Sequence, residues 1–315
     1  MTNPNVSICL TAYKRAQVIG ATIESLLAQE YGDFELIITD DASPDDTEEV
    51  CRRYERLDRR IVYCRNATNL GMPGNLNSSL KRCRAPLVAN LHDGDLYRKD
   101  LVSRWKMALD ANPDAAFAFS ALTMVDGDDS GISNPDLPER LERDELLRFM
   151  LSDRSCYGSP VWGTVMGRRS VYESVGWFDE RFSWYSDVWM WMRLNHTHPV
   201  MYVNEPMISL RPHEPDRPYA RLDWWHMRIV TTMYEDAVDL LHAGDAATIA
   251  LERRRIRRIR DRIWLRALGR AFRRRLWTDA ERGLGIFRAE DSMVLRVAGW
   301  AGVLPLRAMR ALSRS

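Results

Sequence analysis

FELIITDDASPDDT, residues 34–47, is the stretch whose reading sets the fold. Phe34–Thr39 is a largely apolar run of strand length that ends on Asp40-Asp41. Ser43-Pro44-Asp45-Asp46 then supplies capping side chains, a proline and early acids, the chemistry of a helix's first turn. The alternation repeats outward. Upstream, Val6–Leu10 (VSICL) reads as a buried strand, followed by helical spacing through Ile19, Ile23, Leu26 and Leu27. Downstream, Ile61–Arg65 and Leu87–Leu91 (LVANL) read as the third and fourth strands. A strand roughly every 25 residues with helices between predicts an α/β fold with a mostly parallel, doubly wound sheet.

Ligands of such sheets bind beyond the carboxyl ends of the strands. Those ends here carry Thr11-Ala12-Tyr13, Asp40-Asp41 and Asp93-Gly94-Asp95, so acids and hydrogen-bonding groups gather on one edge. Neither glycine-rich phosphate pattern, GxGxxG or GxxxxGK[ST], is present. The phosphates of a bound nucleotide then need another charge partner, and a divalent metal on carboxylates is the obvious one.

The composition is globular, 45% hydrophobic and 28% charged over 315 residues. Cys9, Cys51, Cys64, Cys83 and Cys156 are scattered without a CxxC pair, as expected of reduced thiols in a cytoplasmic protein without a zinc site. The sequence shows no signal-like amino terminus and no run of ~20 apolar residues. The expected location is cytoplasmic, at most peripheral on the inner face of the plasma membrane. A net charge of +1 hides a split: 18 arginines face 6 acids after residue 250, against 27 basic and 38 acidic residues before it. Two parts with different partners are expected.

Five stretches carry a family resemblance in order: VSICLTAYKR, ITDDASPDDT, NLGMPGNLN, LHDGDLY and VGWFDERFSWYSDVWMWMRL. Over about residues 5 to 215 they resemble glycosyltransferase family 2, the inverting GT-A group that uses nucleotide sugars. The resemblance implies a GT-A fold in residues 1–222, with a nucleotide-sugar half to about residue 126 and an acceptor half from 127. An arginine-rich helical region would follow over 223–315.

It further implies roles for single residues. Thr11, Ala12, Tyr13 and Arg15 would meet the nucleotide, Tyr13 offering a stacking face. Asp41, with Asp40 beside it, would accept a hydrogen bond from a pyrimidine N3–H, which favours a UDP- or dTDP-linked donor; helix capping is the other reading. Asn69, Gly71 and Asn75 would meet the donor or simply shape a turn. Asp93 and Asp95, two carboxylates flanking Gly94, can converge on Mg²⁺ or Mn²⁺ bridging the diphosphate. This turn departs from the common D-x-D-D, so which acid binds metal and which the sugar stays open. His213 is a further candidate ligand, or a loop histidine, with Arg211 near it. Asp187, set among aromatics that raise a carboxyl pKa, is the expected catalytic base; an inert acid at a helix start is the alternative. Trp162, Trp184 and Trp191 would stack on sugars or sit in the core.

An inactive GT-A scaffold and a sugar nucleotidylyltransferase are the alternatives. The second lacks its glycine-rich basic loop. A processive synthase would need Q-x-x-R-W and membrane helices, and neither is present. The expected partners are the donor and a glycan or lipid-linked acceptor, with a second copy of the chain admitted and nucleic acid excluded. In the tail, Ile256, Ile259, Ile263, Ala267, Leu268, Ala271 and Phe272 form a helical stripe among arginines. That pattern fits either a helix in an anionic membrane interface, with Trp264, Trp277 and Trp300 at headgroup level, or a helix packed on protein.

Overall fold

The structure, a computed structural model, describes residues 4–124, 137–152, 159–211, 224–274, 276–289 and 292–301. The chain divides into two compact units, residues 1–212 and 213–315.

The first unit alternates as its sequence predicts. It runs β1 (Val6–Ala12), α1 (Ile19–Leu27), β2 (Phe34–Asp40), α2 (Thr47–Leu57), β3 (Ile61–Arg65), α3 (Gly71–Leu80) and β4 (Leu87–His92). Then come β5 (Leu96–Tyr97), α4 (Leu101–Ala111), β6 (Phe117–Met124), β7 (Arg140–Leu141), α5 (Glu145–Leu151), β8 (Val165–Arg168) and α6 (Arg169–Val175). A 3₁₀ turn (Glu180–Tyr185), α7 (Ser186–Thr197) and β9 (Val200–Leu210) complete it.

Among the described residues one sheet of nine strands runs β3-β2-β1-β4-β8-β6-β9-β5, with β7 on β9. β1 to β4 are parallel, the order reversing at β1, where β2 lies on one side and β4 on the other. β8 joins antiparallel to β4 and to β6, so the second half is mixed. This is the GT-A arrangement, and the reversal creates the ligand crevice typical of open α/β sheets.

β1 and β2 read as apolar because helices cover both sheet faces, burying Ile8, Leu10, Leu36 and Ile38 against Ile23, Leu26 and Cys51. Glu35 is buried within β2, and its carboxylate accepts from Ser7 Oγ, Arg84 N and Arg84 Nε. α7 is clamped on both sides. Arg193 donates to the carbonyls of Val175 and Trp177 at 2.7 Å, and the buried Asn195 bonds to Glu142 O and Leu147 N.

The second unit contains α8 (Trp224–Leu241), α9 (Ala246–Arg273), α10 (Trp277–Ala289) and α11 (Met293–Ala301). Its core gathers Trp264, Leu268, Ala271, Ala280, Leu284, Phe287 and Leu295, with Trp264 and Phe287 stacked at 5.7 Å. This corrects the interfacial reading of the stripe. Ile256, Trp264, Ala267, Leu268 and Ala271 face the interior of a helical bundle, and Trp264 is 2% exposed, so it is no headgroup anchor. The side chains of Trp277 and Trp300 lie outside the described residues. Among the described residues no helix is long and apolar enough to cross a membrane.

Candidate active site

The carboxyl ends of β1, β2 and β4 lie side by side, with Ala12 paired to Asp40 and Thr11 to His92. The chain leaves β1 through Lys14 at φ 58° and β2 through Ala42 at φ 57°, both left-handed. Such backbone costs a non-glycine residue roughly 1 kcal/mol or more. Side-chain bonds fix the first of these turns: Ser43 Oγ accepts from Lys14 N at 2.9 Å and Thr47 Oγ1 from Arg15 N at 2.8 Å. Residues following β2 thus shape the turn after β1.

Asp40 and Asp41 point inward. Asp40 is fully enclosed and accepts from Ser43 N, Tyr63 OH and Arg65 Nη1. Asp41, 3% exposed, accepts from Asn66 Nδ2 and Leu70 N on Oδ1 and from Gly71 N on Oδ2. Its charge therefore sits at the amino end of α3, where unpaired amides favour an anion. Asn75 is also buried, donating to Thr39 O and accepting from Asn66. Asp40 and Asn75, both expected at the donor, here brace β2 and β3. Asn69 and Tyr13 are exposed, Thr11 and Gly71 partly so, and Lys14 Nζ lies 5.3 Å from the Tyr13 ring.

In the Asp93-Gly94-Asp95 turn the two carboxylates meet different partners. Asp93 Oδ1 pairs with Arg15 Nε at 2.9 Å. Asp95 is 4% exposed, with Oδ2 3.6 Å from His92 Nδ1 and Oδ1 3.4 Å from Arg211 N. Burial raises the Asp93 pKa against the pull of Arg15. Burial pulls His92 down, but Asp95, Asp187 and Asp93 outweigh it and the net shift is upward. Among the described residues no three His, Cys, Asp or Glu side chains converge as a metal cage, and His213 lies outside them. Asp93, the more accessible of the two acids, fits a hard cation that takes one or two carboxylates and completes its shell with phosphate and water.

Asp187 stands in the first turn of α7. Its Oδ1 accepts from Val188 N at 2.7 Å, and Oδ2 faces Gly163. A Cβ on Gly163 would lie 2.8 Å from that oxygen and 2.6 Å from His92 Cε1 and Nε2. Gly163 is left-handed at φ 80°, and its carbonyl accepts from Asn90 of β4 at 2.8 Å. The end of β4 and the start of α7 therefore meet around one glycine. Burial raises Asp187 to about 6, partly offset by His92. A carboxyl titrating there, with one oxygen free, can take a proton near neutrality. Trp162 and Trp184 are 45% and 40% exposed nearby in sequence, whereas Trp191 is core, packed on Phe117, Tyr172 and Phe178.

Residues 7–176 match the profile of glycosyl transferase family 2. The chain belongs to this family. It is 30% identical over 151 residues to TuaG of Bacillus subtilis, named for teichuronic acid biosynthesis, covering 47% of this chain and 60% of TuaG. It is 37% identical over 92 residues to WfaP of Escherichia coli, a UDP-Glc:alpha-D-GlcNAc-diphosphoundecaprenol beta-1,3-glucosyltransferase, covering 29% of this chain and 36% of WfaP. Among solved structures, Staphylococcus aureus TarS with UDP-GlcNAc superposes at TM-score 0.66 and 16% identity, over 92% of this chain and 82% of that one. A mannosyltransferase of Pyrobaculum calidifontis with GDP-Man and Mn²⁺ superposes at 0.53 and 14%, over 98% and 83%. These structures share the GT-A fold. The chain spans about three fifths of the length of TuaG.

Two neighbours of this site had no role in the sequence reading. His92 stands immediately before the acidic turn, and Gly163 follows Trp162 at the entry to β8. An isolated glycine before a strand is a sign of close backbone approach, so Gly163 had a signal. His92 had only its adjacency.

Proposed function

We propose that this glycosyltransferase moves a single sugar from a UDP- or dTDP-linked donor to an acceptor hydroxyl with inversion, in surface polysaccharide or glycolipid assembly. The observation that carries the reading is Asp187, a carboxyl raised to about 6 whose Oδ2 faces Gly163 beside His92, the last residue of β4. Thr11, Ala12, Tyr13, Asn69 and Gly71 would meet the nucleoside, with Asp41 tied behind them to the start of α3. Arg15 and Gly94 lie where the diphosphate arrives. Asp93, backed by Asp95, would hold Mg²⁺ or Mn²⁺, which supplies charge neutralisation for the departing nucleoside diphosphate.

The acceptor hydroxyl gives its proton to Asp187 Oδ2 while its oxygen bonds to the anomeric carbon. The bond from that carbon to the diphosphate oxygen breaks with its electron pair going to the diphosphate. Attack from the opposite face inverts the centre without a covalent enzyme intermediate. The acceptor half, from about residue 127, would hold a glycan or lipid-linked acceptor, with Trp162 and Trp184 offering ring faces. The UDP complexes of TarS and the lipid-linked acceptor named for WfaP support this class of substrates. A panel of nucleotide sugars, read by nucleoside diphosphate release and by NMR of the product's anomeric linkage, tests it. Inversion is expected; retention, or no release with any donor, overturns it.

A further inference from the structure

α9 carries two populations of arginine. Arg253, Arg255, Arg257 and Arg260 are ion-paired with Asp239, Glu252, Glu235 and Asp261. Arg254, Arg258, Arg262, Arg266 and Arg270 are exposed and recur at every fourth residue, and Arg274 continues the row past the helix end. These six pair with no acid among the described residues. Both acids of α9, Glu252 and Asp261, are engaged by the first population.

Residues four apart form a ridge along a helix surface, and twenty residues of rise make this one about 30 Å long. The opposite side of α9, through Ile256, Trp264, Ala267 and Ala271, is buried in the bundle. Leu251 and Leu276, 65% and 47% exposed, stand near the two ends of the ridge. A face that only kept the unit in solution would mix both signs of charge. Here one sign is segregated, at a cost in self-repulsion.

We propose that this ridge docks the chain on an anionic phospholipid bilayer. Guanidinium forks match phosphodiester oxygens, and the row, turning about 40° per step, brings its middle members Arg258, Arg262 and Arg266 together on the side of α9 away from the bundle core, where one planar surface can meet all three. No aromatic ring stands in the row to stack on bases, which disfavours nucleic acid. The helix lies on the headgroups without inserting, because its apolar side is already used inside the bundle. This inference does not depend on the donor or the mechanism.

The test is flotation of the full chain with phosphatidylcholine vesicles, with and without phosphatidylglycerol. Binding is expected only with the anionic lipid, and is expected to fall steeply at high salt, where exposed charges are screened. Arg262→Gln with Arg266→Gln should weaken it roughly 25-fold, at about fivefold per arginine. Arg56→Gln with Arg59→Gln removes the same charge from exposed positions in the first unit and should change binding much less. Circular dichroism and donor binding should match wild type in both variants. Failure of the wild type to float with anionic vesicles at low salt overturns the proposal. So does equal weakening by the two double variants. Binding to an oligonucleotide or heparin without vesicle binding, or loss of an oligomer as the sole effect of the ridge variant, also overturns it.

Discussion

Asp187 and His92 approach the same point from two elements, and Gly163 is what lets them do so. A methyl group there would stand 2.8 Å from the Asp187 carboxylate and 2.6 Å from the His92 ring.

Gly163→Ala should therefore damage catalysis more than folding. The left-handed backbone adds roughly 1 kcal/mol of strain, while displacement of a catalytic group by about 1 Å can cost ~10²-fold in rate. The expected pattern is turnover down by tenfold or more with a melting temperature lowered by only a few degrees. A variant as active as wild type would separate Asp187 and His92 from the reaction.

The base itself is tested by Asp187→Asn, expected to lower turnover by ~10²–10⁴. Nucleoside diphosphate affinity, measured by calorimetry, should be unchanged. If turnover survives, the base is another acid, with Asp179 and Glu180 the next to substitute.

Acidity gives an independent check. A base must be ionised to act, and Asp187 titrates at about 6. The rate kcat/KM should therefore fall on the acid side of that pH, tenfold per unit once well below it. His92 holds the Asp187 pKa down, so His92→Gln should move this limb to higher pH. A shift to lower pH, or none, contradicts the geometry.

Metal removal addresses the acidic turn. EDTA should abolish transfer, Mn²⁺ or Mg²⁺ should restore it, and Asp93→Ala should not be rescued. Full activity in EDTA would leave Arg15 and other side-chain cations as the diphosphate's partners.

Asp41→Ala should read out mainly as stability. Three donors, one side-chain amide and two backbone amides at the start of α3, lose a buried anionic acceptor. The expected loss is at least about 2 kcal/mol in a denaturant titration. A fully stable variant with lost donor affinity would instead place Asp41 against the base.

The first four strands were legible because Val6–Leu10, Phe34–Thr39, Ile61–Arg65 and Leu87–Leu91 are compact runs between helical segments. β5 and β7, two residues each, leave no periodicity to read, and β9 is half-buried or exposed through its middle and mostly buried at both ends. The acidic edge was legible as composition but not as orientation. Asp40 turns inward because Tyr63 and Arg65 stand on β3, and Asp41 because Asn66 follows it; a strand end does not announce such long-range partners. The stripe of α9 was legible, yet an apolar face looks the same whether lipid or protein covers it. Only Trp264 stacked on Phe287 decides between them.

The clamp on α7 has an evolutionary reading. Arg193 and Asn195 tie the helix to the segments at 175–177 and 142–147, so the carboxylate at its tip is anchored without help from the residues at 160–163. Substitutions at Trp162 or its neighbours can then reshape the surface beside Gly163 while the Asp187 carboxylate stays in place. Relatives that diverge there, yet keep Gly163 and the α7 clamp, would have changed acceptor preference without having to reinvent the chemistry.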